Sequence, residues 1–477
     1  MFFNSFVFFM FLGLVLPVYF LLRNQRSKAL WLLAASYFFY GYWDWRFCSL
    51  LLLSTVVDFI IGKKVFQSED PVTRKRLLWV SMAVNLGILG FFKYFNFFIG
   101  SVEAVSASLG LQVDSLHLNI ILPVGISFYT FQTMSYTIDI YRRRLEPTDS
   151  LIDFALFVAF FPQLVAGPIE RARNLLPQIA KLGNPGRAQV GSGLALMANG
   201  FFRKVLIGDT AGRIVDQVFS DPERYYSPEL LAALVLFSIQ IYADFSGYSH
   251  IARGLARLLG VDLMRNFEQP YLSANITEFW RRWHISLSSW LRDYLYITLG
   301  GNRLGNGRTY VNLMLTMLLG GLWHGANWTF VVWGGLHGIY LAVHKLYLGD
   351  RKIPDHFTYA GPVSLVRYLV AMGLTNLLVL LTWLFFRARD FGQAGYFLDR
   401  FIHWEGSDLT TRWTSITVAF LVVILALDII EYRTGRHDYL ASTVNRPLAW
   451  GIGMAVACGV FLYMATSTPL PFVYFQF

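Results

Sequence analysis

The sequence predicts an all-α protein that crosses a membrane many times, and three observations carry this prediction. Of the 477 residues, 55% are hydrophobic and only 15% are charged, whereas soluble globular chains carry roughly 25% charged residues. Apolar runs long enough for helices in a bilayer recur along the whole chain. These runs are continuous, whereas strands of a membrane β-barrel alternate polar and apolar residues. The composition therefore excludes a cytosolic enzyme, a secreted disulfide-stabilised domain and a disordered linker.

The apolar segments, taken in chain order, are candidates for membrane or re-entrant helices. A helix needs about 20 residues to cross a hydrocarbon core of roughly 30 Å. Residues 1–22 carry no charge and precede no small-residue cleavage site, so we expect a retained helix there. We expect residues 1–477 to form a single multi-pass domain with about 11 to 13 segments. The candidates are approximately 5–22, 29–43, 47–62, 77–99, 118–138, 152–166, 190–207, 230–246, 309–322, 328–348, 363–386, 414–430 and 448–464.

The basic residues predict the orientation of the chain, because Lys and Arg accumulate in cytoplasmic loops. The first, third and fifth segments each precede a basic cluster, whereas residues 100–117 contain no Lys or Arg. We therefore expect both termini, including the tail 466–477, on the extracytoplasmic side. A re-entrant hairpin broken at Gly167-Pro168 accounts for the basic stretch after the sixth segment. Residues 250–308 then form a helical region at the cytoplasmic interface.

The same rule explains the net charge of +10, because Lys and Arg collect in the cytoplasmic loops of membrane proteins. We therefore expect the lipid bilayer, and no nucleic acid, as the partner of this basic chain. The two cysteines, Cys48 and Cys458, lie singly in apolar runs. No HxxxH, HExxH or paired-cysteine pattern is present, so the sequence predicts no metal site. Strings typical of serine hydrolases or of nucleotide-binding P-loops are absent as well.

Two histidine-containing clusters are candidates for chemistry. Residues 266–303 combine Trp, Tyr and Arg with His284, and the alternative explanation is an anchor for lipid headgroups. Residues 320–338 place His324 in a glycine-rich break between two apolar segments. Burial there keeps an imidazole neutral and able to accept a proton. For His324 and the nearby His337, structural hydrogen bonding is the alternative, and the roles of His337 and His250 stay open.

The last six residues, 472–477, are rich in aromatics and follow Pro469 and Pro471. One interpretation is an aromatic belt at the outer interface of the membrane. The other is a tail that folds back into an apolar cavity, where the phenol of Tyr474 becomes an acyl acceptor.

Five strings stand out along the chain, in this order: PVGISF (123–128), FPQLVAGPI (161–169), DFSGY (244–248), FWRRWHISLSSWLRDYLYITLGGNR (279–303) and GLWHGANWTFVVWGGLHG (321–338). They resemble, in the same order, motifs of the membrane-bound O-acyltransferase family, in its bacterial alginate O-acetyltransferase branch, to which the teichoic-acid D-alanyl transfer protein is related. Two positions depart from the expected pattern: His250 stands in place of Asp, and Thr298 in place of Pro.

The resemblance implies a funnel-shaped helical protein of the bacterial inner membrane, with a narrow passage between its two faces. It implies that His324 is the essential histidine and His284 a second one nearer the cytoplasm. Acetyl-CoA is then the acyl donor, and no permanently bound cofactor is expected. The acetyl group passes to an extracytoplasmic acceptor, and a separate periplasmic acetyltransferase completes O-acetylation of a polysaccharide such as alginate. The aromatic tail is similar to the tyrosine-containing end of a small partner peptide in the D-alanylation system.

These residues suggest a mechanism. Arg281, Arg282 and Arg303 attract the nucleotide phosphates, His324 acts as general base, and Tyr474 accepts the acetyl group. A serine of the partner or a sugar hydroxyl is the alternative acceptor. Two other classes of protein fit the composition: a transporter or lipid-linked sugar flippase, and a structural platform of an export complex. Transporters tend to show paired broken helices in repeated halves, and the sequence shows no such repeat.

Overall fold

The computed structural model describes residues 1–111, 114–349, 351, 361–468 and 470–475. Within this part of the chain every regular element is a helix, which confirms the predicted all-α class. The chain divides into two compact units: residues 1–194 with 252–264, and residues 195–251 with 265–477. The single domain over residues 1–477 stays a prediction.

Several helices of the first unit begin at polar caps. The side chains of Ser5, Asn24, Asp70 and Ser150 each accept a hydrogen bond from a backbone N–H of the first turn, which satisfies donors that a helix start leaves without partners. Its helices are α1 (Phe6–Leu21), α2 (Gln25–Asp44), α3 (Cys48–Gln67), α4 (Pro71–Leu89), α5 (Phe95–Ser108), α6 (Ile126–Tyr141), α7 (Leu151–Ala159), α8 (Phe161–Leu164), α9 (Ala172–Ile179) and the start of α10 (Arg187–Phe201).

The polar centre of the first unit is the buried carboxylate of Asp58 on α3. It accepts hydrogen bonds from Ser81 and Asn85 of α4, at 2.5 and 2.7 Å, and from Thr137 of α6, at 2.9 Å. A buried carboxylate is tolerated when its oxygens are hydrogen-bonded in this way. This network therefore joins α3, α4 and α6.

The second unit contains the two predicted histidine clusters and the C-terminal tail. A π-helical segment, Phe202–Asp209, links α10 to α11, and a second one, Leu291–Tyr296, follows α14. The helices of this unit are α11 (Thr210–Ser220), α12 (Ser227–Leu258), α13 (Ile276–Arg282), α14 (Ile285–Trp290), α15 (Gly305–His324), α16 (Trp328–Leu348), α17 (Pro362–Arg387), α18 (Phe391–Ile402), α19 (Thr410–Thr434), α20 (Tyr439–Ser442) and α21 (Arg446–Thr466).

Several helices are long and apolar enough to cross a membrane, which confirms a multi-pass membrane protein. In the described residues six helical stretches meet this condition: Gln25–Gln67, Pro71–Ser108, Ser227–Leu258, Pro362–Arg387, Thr410–Thr434 and Arg446–Thr466. Their surroundings differ, because 83% of the apolar part of α12 is buried against only 11% for α21. Helix α12 is therefore an interior helix of its unit, and α21 presents apolar side chains outward.

Several predicted segments coincide with single helices of the structure, whereas others correspond to two shorter helices. Predicted segment 328–348 coincides with α16, whereas 152–166 is split into α7 and α8. The helical structure there ends at Leu164, shortly before the predicted break at Gly167-Pro168. Crossing of the membrane by all 11 to 13 predicted segments, and the orientation of the termini, stay predictions.

Candidate active site

The turn between α15 and α16 sets the position of His324, the last residue of α15. The two helices approach so closely that a Cβ atom on Gly321 would lie 2.2 Å from the carbonyl oxygen of Phe330. Such an approach requires glycine. Asn327 caps α16 by accepting the backbone N–H of Thr329 at 3.0 Å. The glycine-rich break therefore forms a tight helical hairpin that fixes the imidazole at its bend.

His324 is buried, with 3% of its surface exposed, and aromatic rings surround its imidazole. The ring centroids of Trp333, Phe386 and Tyr474 lie 5.0, 5.4 and 5.3 Å from that of His324. These are contact distances for aromatic side chains. The predicted base and the predicted acyl acceptor are therefore neighbours.

His284 belongs to the same site. It precedes α14 in the left-handed conformation, with φ of 43°, and its ring centroid lies 6.3 Å from that of His324. Among the described residues, no hydrogen-bond partner reaches either ring nitrogen of His284. Burial lowers the pKa of His284 to about 3, because an apolar site disfavours the charged imidazolium. The imidazole is therefore neutral at physiological pH.

The C-terminal tail contacts His324 directly and also packs on Phe245, a neighbour of His284. Residues Val473–Phe475 form a 3-10 turn, and the ring of Tyr474 packs on Phe245 at 4.9 Å and on Phe472 at 5.3 Å. Phe245 also contacts His284, at 4.6 Å. Pro469, Gln476 and Phe477 lie outside the described residues. Of the two interpretations of the tail, the folded-back arrangement is the one that the described residues show.

The hydroxyl of Tyr474 is buried, and no described residue hydrogen-bonds to it. Burial raises the pKa of Tyr474 well above its ordinary value, since the phenolate would lose its hydration. At neutral pH the group is therefore a phenol, and it needs a base before it can act as a nucleophile.

A buried ion pair holds the backbone of the tail. Asp244 on α12 accepts the N–H of Val473 at 2.7 Å through one oxygen, and its other oxygen lies 2.7 Å from the ammonium of Lys204. Lys204 also donates to the carbonyl of Leu470 at 3.4 Å and pairs with Asp209 at 2.5 Å. The ion pair between Lys204 and Asp244 therefore holds the backbone on both sides of Phe472, and this positions Tyr474.

The roles of Lys204, Asp209 and Phe386 were not predicted from the sequence, and Asp244 was singled out only as part of a motif string. A signal existed for the charged residues, because Lys204 and Asp244 stand inside otherwise apolar segments, where charge is costly. Nothing in the sequence links them to the tail.

His337 has a different environment from His284. The indole N–H of Trp280 donates to its Nδ1 at 3.2 Å, and its Nε2 lies 3.0 Å from the hydroxyl of Thr382. Since Nδ1 accepts, Nε2 carries the proton and donates to Thr382. Both ring nitrogens are therefore used in joining α13, α16 and α17.

The three predicted phosphate-binding arginines have unlike surroundings. Arg281 and Arg303 are exposed, and Arg303 follows Gly300 and Gly301, both with positive φ. Arg282 is buried and pairs with Glu278 at 2.7 Å. Binding of a nucleotide by these arginines stays a prediction, and Arg282 would have to exchange or share its partner to take part.

Comparison with known proteins identifies the family. The family model described as "MBOAT, membrane-bound O-acyltransferase family" matches residues 142–384, which include His284 and His324. The chain belongs to the membrane-bound O-acyltransferase family. It is therefore an O-acyltransferase, and both histidines of the candidate active site, His284 and His324, lie in the part of the chain that the family model covers.

Two of the relatives match nearly the whole chain, and a third matches about half of it. The chain is 42% identical over 500 residues to the probable alginate O-acetylase of Pseudomonas putida, covering 100% of both. It is 32% identical over 503 residues to the peptidoglycan O-acetyltransferase of Helicobacter pylori, covering 95% of this chain and 92% of that one. The teichoic acid D-alanyltransferase of Streptococcus thermophilus is 28% identical over 243 residues, 48% of this chain and 58% of its own.

Proposed function

We propose that the protein moves an acetyl group from cytoplasmic acetyl-CoA across the inner membrane for O-acetylation of an exported polysaccharide. Tyr474 is the intermediate acceptor and His324 the general base. The observation that carries this proposal is the contact between the two rings, 5.3 Å apart at their centroids, together with the buried hydroxyl of Tyr474. Alginate is the first acceptor to test, because relatives at 42% identity are named as alginate O-acetylases.

The proposed step balances as an acyl transfer. His324 takes the phenolic proton of Tyr474 while the phenol oxygen attacks the thioester carbonyl. The carbon–sulfur bond breaks, and the departing thiolate of CoA takes the proton from the imidazolium. The product is an acetyl ester of Tyr474, and a phenyl ester keeps enough transfer potential for a second acceptor. A periplasmic acetyltransferase collects the acetyl group from the tail.

The neutral state of His284 suits a supporting role in this step. With no hydrogen bond to its ring nitrogens from the described residues, it offers one donor and one acceptor to a substrate entering the site. A carbonyl oxygen that becomes negative during the attack is the group that such a donor stabilises.

The test is mass spectrometry of the C-terminal peptide after incubation of purified protein with labelled acetyl-CoA. We expect a single acetyl group on Tyr474 and release of the free CoA thiol. Tyr474→Phe should carry no label, while Tyr347→Phe, at an exposed tyrosine of α16, should label normally. Labelling with acetyl phosphate but not with acetyl-CoA would replace the donor and keep the relay.

A cellular measurement separates the relay from direct transfer. If Tyr474→Phe leaves acetylation of the polysaccharide unchanged, the acetyl group reaches a serine of the partner or a sugar hydroxyl directly, and the relay is wrong. Loss of acetylation in Tyr474→Phe but not in Tyr347→Phe supports it.

A further inference from the structure

A second buried polar cluster plays no part in the transfer step proposed above. It consists of His250 near the end of α12, Glu431 near the end of α19 and His437 in the following loop. These side chains are 3%, 2% and 4% exposed. Glu431 and His437 are close in the sequence, but His250 is far from both, so no spacing pattern reveals the set.

The donor atoms of the three side chains converge. One ligand atom from each lies within 4.8 Å of the other two. Nε2 of His250 is 3.2 Å from Nδ1 of His437, and Nε2 of His437 is 3.8 Å from Oε2 of Glu431. Around Zn²⁺, with metal–ligand bonds of about 2.0–2.2 Å, tetrahedral ligands lie about 3.2–3.6 Å apart. Because an imidazole binds one ion through one nitrogen, the spacing to compare is the 3.8 Å between Nε2 of His437 and Oε2 of Glu431, which lies just above this range. The contact between Nδ1 of His437 and His250 is a separate hydrogen bond.

The neighbours of Glu431 orient its carboxylate toward the histidines. Its Oε1 accepts the amide of Asn199 at 2.8 Å and pairs with Arg203 at 3.0 Å. Its Oε2 remains on the side of Gln269 and His437. Metal-binding carboxylates are held by hydrogen bonds to the second oxygen in this manner.

Gln269 can complete the set of ligands. Its amide lies 3.1 Å from Oε2 of Glu431 and 3.2 Å from Nε2 of His437. The oxygen and nitrogen of an amide are assigned from their hydrogen bonds, and rotation by 180° exchanges them. Rotated, the amide places an oxygen beside the other donors, and two imidazoles, a carboxylate and an amide oxygen make a closed four-ligand site.

The charges of the cluster favour a cation. Arg203 pairs with both Glu431 and Asp428, at 3.0 and 3.1 Å, and all three side chains are 2% exposed or less. One guanidinium therefore faces two carboxylates in a buried place. Excess buried charge is costly unless it is compensated. A cation beside Glu431 compensates it.

We propose that His250, Glu431 and His437, with Gln269, form a binding site for a divalent metal ion of the Zn²⁺ class. The ligands come from α12, α19, the loop after α19 and the segment before α13, so the ion ties these elements together. A site with four protein ligands and no open position is structural. We therefore assign it to holding the second unit together rather than to acyl transfer.

The test uses full-length protein without a polyhistidine tag, purified in detergent without chelator. Elemental analysis should find about one metal ion per chain, as expected of a structural site. After removal of the ion by a chelator, Co²⁺ should bind and give the visible absorption bands of tetrahedral nitrogen and oxygen ligation, and Zn²⁺ should displace it. Reloading with Zn²⁺ should raise the unfolding temperature.

Substitutions locate the ion. His250→Ala and His437→Ala should weaken Co²⁺ binding at least about 10-fold, whereas His403→Ala, at an exposed histidine, should leave it unchanged. If the variants do not fold, the Co²⁺ spectrum of the unaltered protein decides. Absence of bands and of any Zn²⁺-dependent shift in unfolding temperature would overturn the metal site and leave a proton shared between the two imidazoles.

Discussion

His284 and His337 are both completely buried, with 0% of their surface exposed, but their hydrogen bonding differs. His337 uses both ring nitrogens, one toward Trp280 and one toward Thr382. His284 has no such partner among the described residues. Since buried polar atoms are nearly always paired in native proteins, we infer that a substrate supplies the missing partner of His284, whereas His337 supports the structure. The hydroxyl of Tyr474 resembles the imidazole of His284, because it too has no hydrogen-bond partner within the part of the chain that the structure describes.

Substitution of His324, the proposed general base, should have the largest effect. His324→Ala should lower the rate of acetyl transfer to Tyr474 by about 10²–10⁴-fold, the usual contribution of a general base. The measurement is the rate of label incorporation into the C-terminal peptide. His403→Ala should label at the normal rate, and full transfer by a folded His324→Ala protein would refute the assignment.

A smaller loss is expected from Asp244→Asn, because it breaks the ion pair that fixes the tail. Misplacement of a reacting group by about 1 Å can cost about 10²-fold in rate. Lys204 keeps Asp209 as a partner, so we expect the variant to fold. Hydrogen exchange at the amide of Val473 should accelerate together with the loss of rate.

Asp408→Asn, at an exposed aspartate, is the matched control for this variant. A slower transfer with unchanged exchange at Val473 would show that Asp244 acts other than by holding the tail.

His337→Ala tests the structural side of the comparison. It leaves the N–H of Trp280 and the hydroxyl of Thr382 without this partner. An unpaired buried group costs about 1–3 kcal/mol, so the free energy of unfolding should fall by that amount while transfer changes only a few-fold. A stable His337→Ala protein with a 100-fold slower transfer would place His337 in the chemistry.

The pH dependence of stability reports on His284. Its folded-state pKa of about 3 lies below the unfolded value of about 6.5, so the unfolded state binds the proton first. The contribution of neutral His284 is therefore complete above pH 6.5 and is lost as the pH falls toward 3, by up to about 1.4 kcal/mol per pH unit. Unfolding temperatures measured between pH 7 and pH 5 should fall less steeply in His284→Gln than in the unaltered protein. Parallel curves would contradict a buried neutral His284.

The smallest effect is expected for the exposed arginines. Arg303→Gln should raise the KM for acetyl-CoA up to about fivefold, as for the loss of one exposed charge interaction of about 1 kcal/mol, and the difference should shrink at high salt. Arg265→Gln, which removes an exposed arginine paired with Glu268, should leave KM unchanged. Equal KM values for both variants would remove Arg303 from the donor site.

Local patterns predicted the helices well. The segment predicted at 328–348 coincides with α16, and the glycines around His324 predicted the break that the structure shows. Interruptions within helices were harder to predict from the sequence. Two examples are the end of α8 at Leu164 and the π-helical segment Phe202–Asp209 inside an apolar run. Such irregularities depend on neighbouring helices rather than on the segment's own hydrophobicity.

The candidate site could be predicted only in part. His284, His324 and Tyr474 were singled out one by one, since polar groups in apolar surroundings are conspicuous in a sequence. Their contact was not predictable from spacing. The grouping of His250, Glu431 and His437 was not found at all, because its members lie on elements that meet only after folding.

Composition, apolar run length and motif order are properties of the chain alone, and they were enough to predict a helical membrane protein, most of its helices and its family. The folded chain was needed to show that Tyr474 lies beside His324, that Asp244 and Lys204 hold the tail there, and that both ring nitrogens of His337 are hydrogen-bonded. The physical reason is that each of these depends on side chains brought together by packing between helices distant in sequence, which no local pattern encodes.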